Sequence, residues 1–187
     1  MTASLEKDPA RIARGKLAQR RGDEAEVYVA KALEKWWQAY EPEAKFVRTP
    51  LSGGWSGPLV RRGFRASGDV MTTSGSFPFC VEVKYRQFSR ARLFGSGPSP
   101  VWAWWAQAVA AARESDRRPL LVFREPVGAG RGKTAPWLCI GVVAITSPAS
   151  LRAFGRYVFP PTGGGVTVAI ADFDAVLRLP PQAVRQI

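Results

Sequence analysis

The residues best equipped for chemistry lie in one short stretch, Cys80-Val81-Glu82-Val83-Lys84. In an extended strand successive side chains point to opposite faces, so Glu82 and Lys84 share one face and Val81 and Val83 the other. Residues 68–72 and 78–85 are both strand-prone, and Thr73-Ser74-Gly75-Ser76 between them reads as a turn. That predicts a hairpin, which would set Asp69 opposite the Glu82 end. Two carboxylates and an ammonium in a small volume suit a hard divalent cation, which takes oxygen ligands and keeps several waters. Such an ion stabilises charge on a phosphate and lowers the pKa of a bound water. Lys84 beside it would orient the nucleophile or stabilise developing negative charge. The plainer reading is a solvated sheet face with a salt bridge to Asp69, which leaves the rest of the acidic and basic pattern unexplained.

A third acid comes from an earlier helix. Val29, Ala30, Leu33, Trp36 and Trp37 recur at three- and four-residue steps, and Glu26 shares their face. A carboxylate on an apolar face is costly unless paired or ligating. A plain helix-terminal charge is the alternative for Glu26, and Glu24 is the competing acid. Gln107 is the only polar side chain between Val101 and Ala112, so it too is expected to reach the site or a phosphate. Arg61, Arg62, Arg65, Arg86, Arg90 and Arg92 flank the acids in sequence and are expected to clamp a nucleic-acid backbone. Trp55, in the glycine-rich Leu51-Ser52-Gly53-Gly54-Trp55-Ser56-Gly57, is a candidate for touching DNA. The Trp102, Trp104 and Trp105 group invites a base-stacking reading, but among alanines it fits core packing or a dimer interface better. The stretch Gly128-Ala129-Gly130-Arg131-Gly132-Lys133-Thr134 imitates a phosphate-binding loop. Val127 stands where that motif needs its first glycine, so a basic hairpin loop and no nucleotide cofactor are expected.

Taken in order, Gly22-Asp23-Glu24-Ala25-Glu26, Ser52-Gly53-Gly54, Gly68-Asp69-Val70, Val81-Glu82-Val83-Lys84 and Gln107 resemble the archaeal-type Holliday junction resolvases and their phage relatives, within the PD-(D/E)xK nucleases. The resemblance covers roughly residues 20–124. It implies an α/β fold with a restriction-endonuclease-like core, a central mixed β-sheet flanked by helices. It implies Mg²⁺, with Mn²⁺ able to substitute, bound by Glu26, Asp69 and Glu82. Lys84 would assist the nucleophile and Gln107 support the site, with Ser52 in the loop that meets DNA. The activity implied is a Mg-dependent endonuclease on branched DNA, working as a homodimer. Gly68 stands where a proline is usual, residues 55–67 look inserted, and the chain beyond Phe123 is longer than such a core needs. Rival readings are a restriction-like or exonucleolytic enzyme on ordinary duplex or ends, and a non-catalytic DNA-binding protein on the same fold.

These residues need elements to position them. The pattern predicts a helix over 22–40, stopped by Pro42, and a strand over 45–49. It then predicts the hairpin, a mobile loop over 87–100, a helix over 101–114, and strands over 119–123 and 137–145. A helix near 150–157, a turn at 163–165, a strand over 166–171 and a short closing helix complete it. Residues 1–21 read as a basic arm that becomes helical and 22–187 as one domain, with a core over 22–145 and an α/β tail over 146–187.

Composition agrees. The chain of 187 residues has 27 Lys and Arg against 15 Asp and Glu, a net charge of +12 that favours a polyanionic partner. It contains no histidine, which removes Ser-His-Asp and Cys-His nucleophiles, HNH nucleases and most zinc hydrolases. Cys80 and Cys139 lie in apolar runs without metal spacing and read as buried thiols. No apolar run is long enough for a membrane helix, and the start lacks a secretory pattern. A cytoplasmic protein of a bacterial or phage-infected cell is therefore expected.

Overall fold

Leu120, Leu121, Val122 and Phe123 are apolar without alternation, the signature of a strand covered on both faces. All four are buried in the computed structural model of the chain. The structure describes residues 8–50, 61–89, 93, 99–126, 135–143, 157–158 and 167–185.

The element order is α1 (Pro9–Trp37), β1 (Phe46–Arg48), β2 (Arg65–Ser67), β3 (Val70–Thr72), β4 (Phe79–Tyr85), α2 (Pro100–Glu114), β5 (Arg118–Arg124), β6 (Leu138–Val143), β7 (Tyr157–Val158), β8 (Thr167–Asp172), α3 (Phe173–Val176) and α4 (Pro181–Arg185). Strands β4-β5-β6-β8-β7 form a mixed sheet, parallel between β4 and β5 and antiparallel elsewhere. Strands β1-β3-β2 form a separate antiparallel sheet. Leu120 and Val122 face the cluster that holds Val29, Leu33 and Trp37 of α1. Leu121 and Phe123 face the cluster of Val101, Trp104 and Ala108 of α2. The mixed sheet is thus sandwiched between helices, the α/β architecture expected.

Three expectations need correction. Helix α1 begins at Pro9, within the basic stretch, because Asp8 caps it by accepting from the Ala10 N–H at 2.9 Å and Pro9 fits the first turn. It ends at Trp37, before Tyr40. Strands β3 and β4 do not form a hairpin: β3 pairs with β1 and β2, and β4 pairs with β5. The reason lies in the supposed turn. Ser74 Oγ donates to Glu41 Oε2 at 2.5 Å and accepts from Trp37 Nε1 at 3.0 Å, while Phe77 is buried beside Trp37. The chain is therefore pinned to α1 and crosses from one sheet to the other. Finally, the expected loop over 87–100 has two anchors in the second core, Phe88 and Leu93.

Trp104 is buried and Trp102 and Trp105 are partly buried against that core, so this cluster packs. Cys80 and Cys139 are buried free thiols, and burial pushes the Cys139 thiol up to about 12, leaving it inert. Tyr157 belongs to β7, so the helix expected over 150–157 does not include it. The rest of that helix, the 163–165 turn and the 128–134 loop lie outside the described residues. No helix among the described residues is long and apolar enough to cross a membrane.

Candidate active site

Strand β4 sits at the edge of the mixed sheet, and its open side is met by the turn that carries Asp69. The Asp69 N–H donates to the Val81 carbonyl at 2.7 Å, and the Val83 N–H donates to Asp69 Oδ2 at 2.8 Å. One backbone group and one carboxylate oxygen thus stand in for a neighbouring strand. This close approach depends on Gly68, which has φ +75° and whose position leaves no room for a side chain: a Cβ there would lie 2.2 Å from the Val81 oxygen. The glycine that departs from the resolvase pattern is what brings Asp69 against β4.

Glu82 and Lys84 share a face of β4 and contact each other through Oε1 and Nζ, both side chains largely buried. The salt bridge expected to reach Asp69 is instead made within the strand. Asp69 is pushed up from 3.8 to about 7, first by desolvation and next by the nearby Glu82 charge, with Glu26 adding to it. Glu26 is also raised, chiefly by burial, although Arg48 opposes the shift. Glu24 is exposed and pairs with Arg20, so Glu26 is the acid that α1 turns inward.

An open cleft of about 730 Å³ lies over this point. Asp69, Lys84, Glu26 and Asp23 line it, as do Tyr85 at the end of β4, Arg86 and Gln87 just past it, and Gly15, Ala18, Gln19, Arg21 and Gly22 of α1. Glu82 does not line the cleft; it acts on Asp69 and Lys84 from beside it. Asp23, Arg21 and Gln87 are the residues sequence reasoning did not single out. Asp23 and Arg21 share the Glu26 helix, a turn or so away, and Gln87 lies two residues past the end of β4, so a count along those two elements points to them.

The expected set is only partly assembled. Among the described residues no three carboxylates converge as a metal cage, and Glu26 is held by Arg48, whose Nε donates to Glu26 Oε2 at 2.8 Å. Asp69 with Glu82 still fits a hard divalent ion: two oxygen donors crowd together in a poorly solvated place that favours neutralisation. Gln107 is exposed on α2 and takes no part in the cleft. Arg86 is exposed at the cleft. Arg61 and Arg62 are exposed elsewhere, and Arg65 lines a second depression with Arg117 and Arg118, at the opposite end of β4 and β5. Ser52, Trp55, Arg90 and Arg92 lie outside the described residues.

A family model described as "Phage putative PDDEXK endonuclease" matches residues 18–131, which include α1 from Ala18, the Asp69 turn, β4, α2 and β5. No curated protein and no solved structure matches.

Proposed function

The chain belongs to the phage PDDEXK endonuclease family, and from that premise we propose that it cuts DNA phosphodiesters with a divalent cation, Mg²⁺ or in its place Mn²⁺, held by Asp69 and Glu82. The observation that carries this reading is the Asp69 carboxyl, buried next to two further acids and lifted to about 7 while facing an open cleft lined by Lys84. A carboxyl lifted to about 7 is only partly ionised at neutral pH, and its own direct bond is to a neutral amide, so a positive partner would complete its ionisation.

The bound cation would supply charge stabilisation at the scissile phosphate and a more acidic water. The chain's own residues do the rest. Lys84, drawn close by Glu82, presents an ammonium toward the cleft, where it opposes negative charge gathering on the phosphate. Arg21 and Arg86 at the rim hold the flanking backbone by charge. The Val83 amide fixes the orientation of Asp69, so the carboxylate, though carried on a turn, is held in place against strand β4.

For the DNA structure we favour a branched substrate such as a four-way junction, cut symmetrically by a homodimer in a recombination setting. The ordered motif set from Glu26 to Lys84 supports it. The exposed position of Gln107 favours the second reading, the same site acting on ordinary duplex. The test is cleavage of a labelled four-way junction and of linear duplex, with Mg²⁺ or EDTA, by the natural chain and Lys84→Ala. Cation-dependent cutting lost in the variant is expected, with the junction cut faster. Equal rates on both substrates select the duplex reading. Tight binding with no cutting of either rejects the enzyme.

A further inference from the structure

Arg48 ends β1, and β1 is tied to the Asp69 turn: Arg48 is in register with Val70, and Thr49 donates from its N–H to the Asp69 carbonyl at 2.9 Å and from Oγ1 to the Gly68 carbonyl at 2.8 Å. The guanidinium is therefore anchored to the same segment as the cleft's most perturbed carboxylate. From there it reaches α1, where Asp23 and Glu26 are neighbours on one helix face. Nε donates to Glu26 Oε2 at 2.8 Å, and Nη2 lies 2.8 Å from Asp23 Oδ1 in a charge contact without hydrogen-bond alignment. Side-chain exposure is 24% for Arg48, 33% for Asp23 and 16% for Glu26, so the trio is largely removed from water.

Arginine does not give up its proton in a protein, and its planar fork can serve two carboxylates at once. A metal ion approaching Glu26 has to compete with a resident cation that cannot dissociate. Separating such a partly buried pair also leaves an uncompensated charge, which is costly. Asp69 differs, since its bonded partner is a neutral amide. Glu82 differs too, because its partner Lys84 sits on a flexible stem and contacts one oxygen.

We propose that Arg48 keeps Asp23 and Glu26 as its own counter-ions and so limits this site to one divalent cation per chain, held by Asp69 and Glu82. Arg48 is then a positioning residue that sets metal stoichiometry, and Glu26 is its anchor rather than a metal ligand. The inference rests on the reading that Asp69 and Glu82 together take a divalent cation.

Mn²⁺ titration of the whole chain without DNA, following the free-ion paramagnetic signal, tests it. The natural chain binds one Mn²⁺. Glu26→Gln keeps that stoichiometry with affinity within about threefold, whereas Asp69→Asn weakens binding by about tenfold or more, the size of effect expected at a metal site. Arg48→Met releases Glu26 and gives a second ion or tighter binding. Should Arg48→Met fail to fold, Arg48→Lys, a point charge without the fork, gives the same change more weakly. Two ions on the natural chain, a tenfold loss in Glu26→Gln, or unchanged binding in a folded Arg48 variant overturns the proposal. No Mn²⁺ binding at all, or binding indifferent to Asp69→Asn, strikes the cation reading beneath it instead.

Discussion

Two acidic centres stand at the two ends of the same stretch of chain, one around Glu41 and one around Asp69. Glu41 accepts from Ser74 Oγ, from Ser76 Oγ at 2.8 Å and from Trp37 Nε1 at 3.3 Å. Those donors, Ser74 first, hold its carboxyl below the usual range. Asp69 has a single backbone amide, and burial beside Glu82 pushes it to about 7. The contrast separates a charge that the fold satisfies from a charge that the fold leaves in want of a partner. The first fastens β3 to α1 and has no further chemistry to do. The second keeps its full charge at neutral pH only when a positive partner arrives, which is what a site requires.

The sharpest way to break this contrast is by activity. Lys84→Ala and Asp69→Asn should each lower the cleavage rate by about 10²–10³ or more, with melting still cooperative. Glu41→Gln, assayed at a temperature where it is folded, should cut within a few-fold of the natural chain. A Glu41 variant as dead as Lys84→Ala would erase the distinction.

Gly68→Ala comes next. A side chain against the Val81 oxygen forces the turn off β4, so we expect a loss of several kcal/mol by denaturant titration, on the scale of a strained backbone position, together with lost cleavage. Glu41→Ala should cost about 1–3 kcal/mol, because the buried Ser74 and Trp37 lose an acceptor.

The two centres should also answer pH in opposite directions. Asp69 is raised, so its contribution to stability is full below 3.8 and is lost as pH climbs through about 7. Glu41 is lowered from 4.5, so its contribution is present above that value and is lost as pH falls through the lower folded-state value. Melting of the metal-free chain from pH 4 to 8 should therefore show a decline that Asp69→Asn reduces, leaving the part that the raised Glu26 contributes, and that Glu41→Gln leaves in place. A decline of equal size in Asp69→Asn would assign it to another group. The smallest effect is at the rim. Arg21→Ala with Arg86→Ala should lower the slope of log affinity against log salt by up to about 2, since each phosphate contact contributes about 0.9. An unchanged slope would remove both from the DNA path.

Much of the frame could be read without coordinates, and the misses have physical causes. β5 and α2 were legible because each writes its burial into its sequence: Leu120 to Phe123 is apolar without a break, and the buried Val101, Trp104, Ala108 and Ala112 keep helical steps. The relation of β3 to β4 was not. Its deciding bond, Ser74 to Glu41, joins residues far apart, and a serine-glycine stretch looks the same whether it turns back or crosses over. Gln107 misled for a different reason. Its neighbours on α2 are alanines, yet Ala103, Ala106 and Ala110 form with it the solvent-facing stripe. Alanine marks neither side of a helix, so one polar residue among alanines gives no direction. Arg48 was missed because a single arginine in a short strand has no spacing to announce it.

The bond between Asp69 and the Val83 amide has one more effect, on how the protein behaves in crowded solution. β4 is an outermost strand, and an outermost strand with bare N–H groups is a template on which another chain can build. The aspartate blunts that template. Asn at this position keeps an oxygen for the Val83 N–H, whereas Ala leaves it bare. A variant made to test the proposed site in crystallography or DNA-binding work should therefore carry Asp69→Asn, since Asp69→Ala removes the carboxylate and opens the sheet to aggregation in the same stroke.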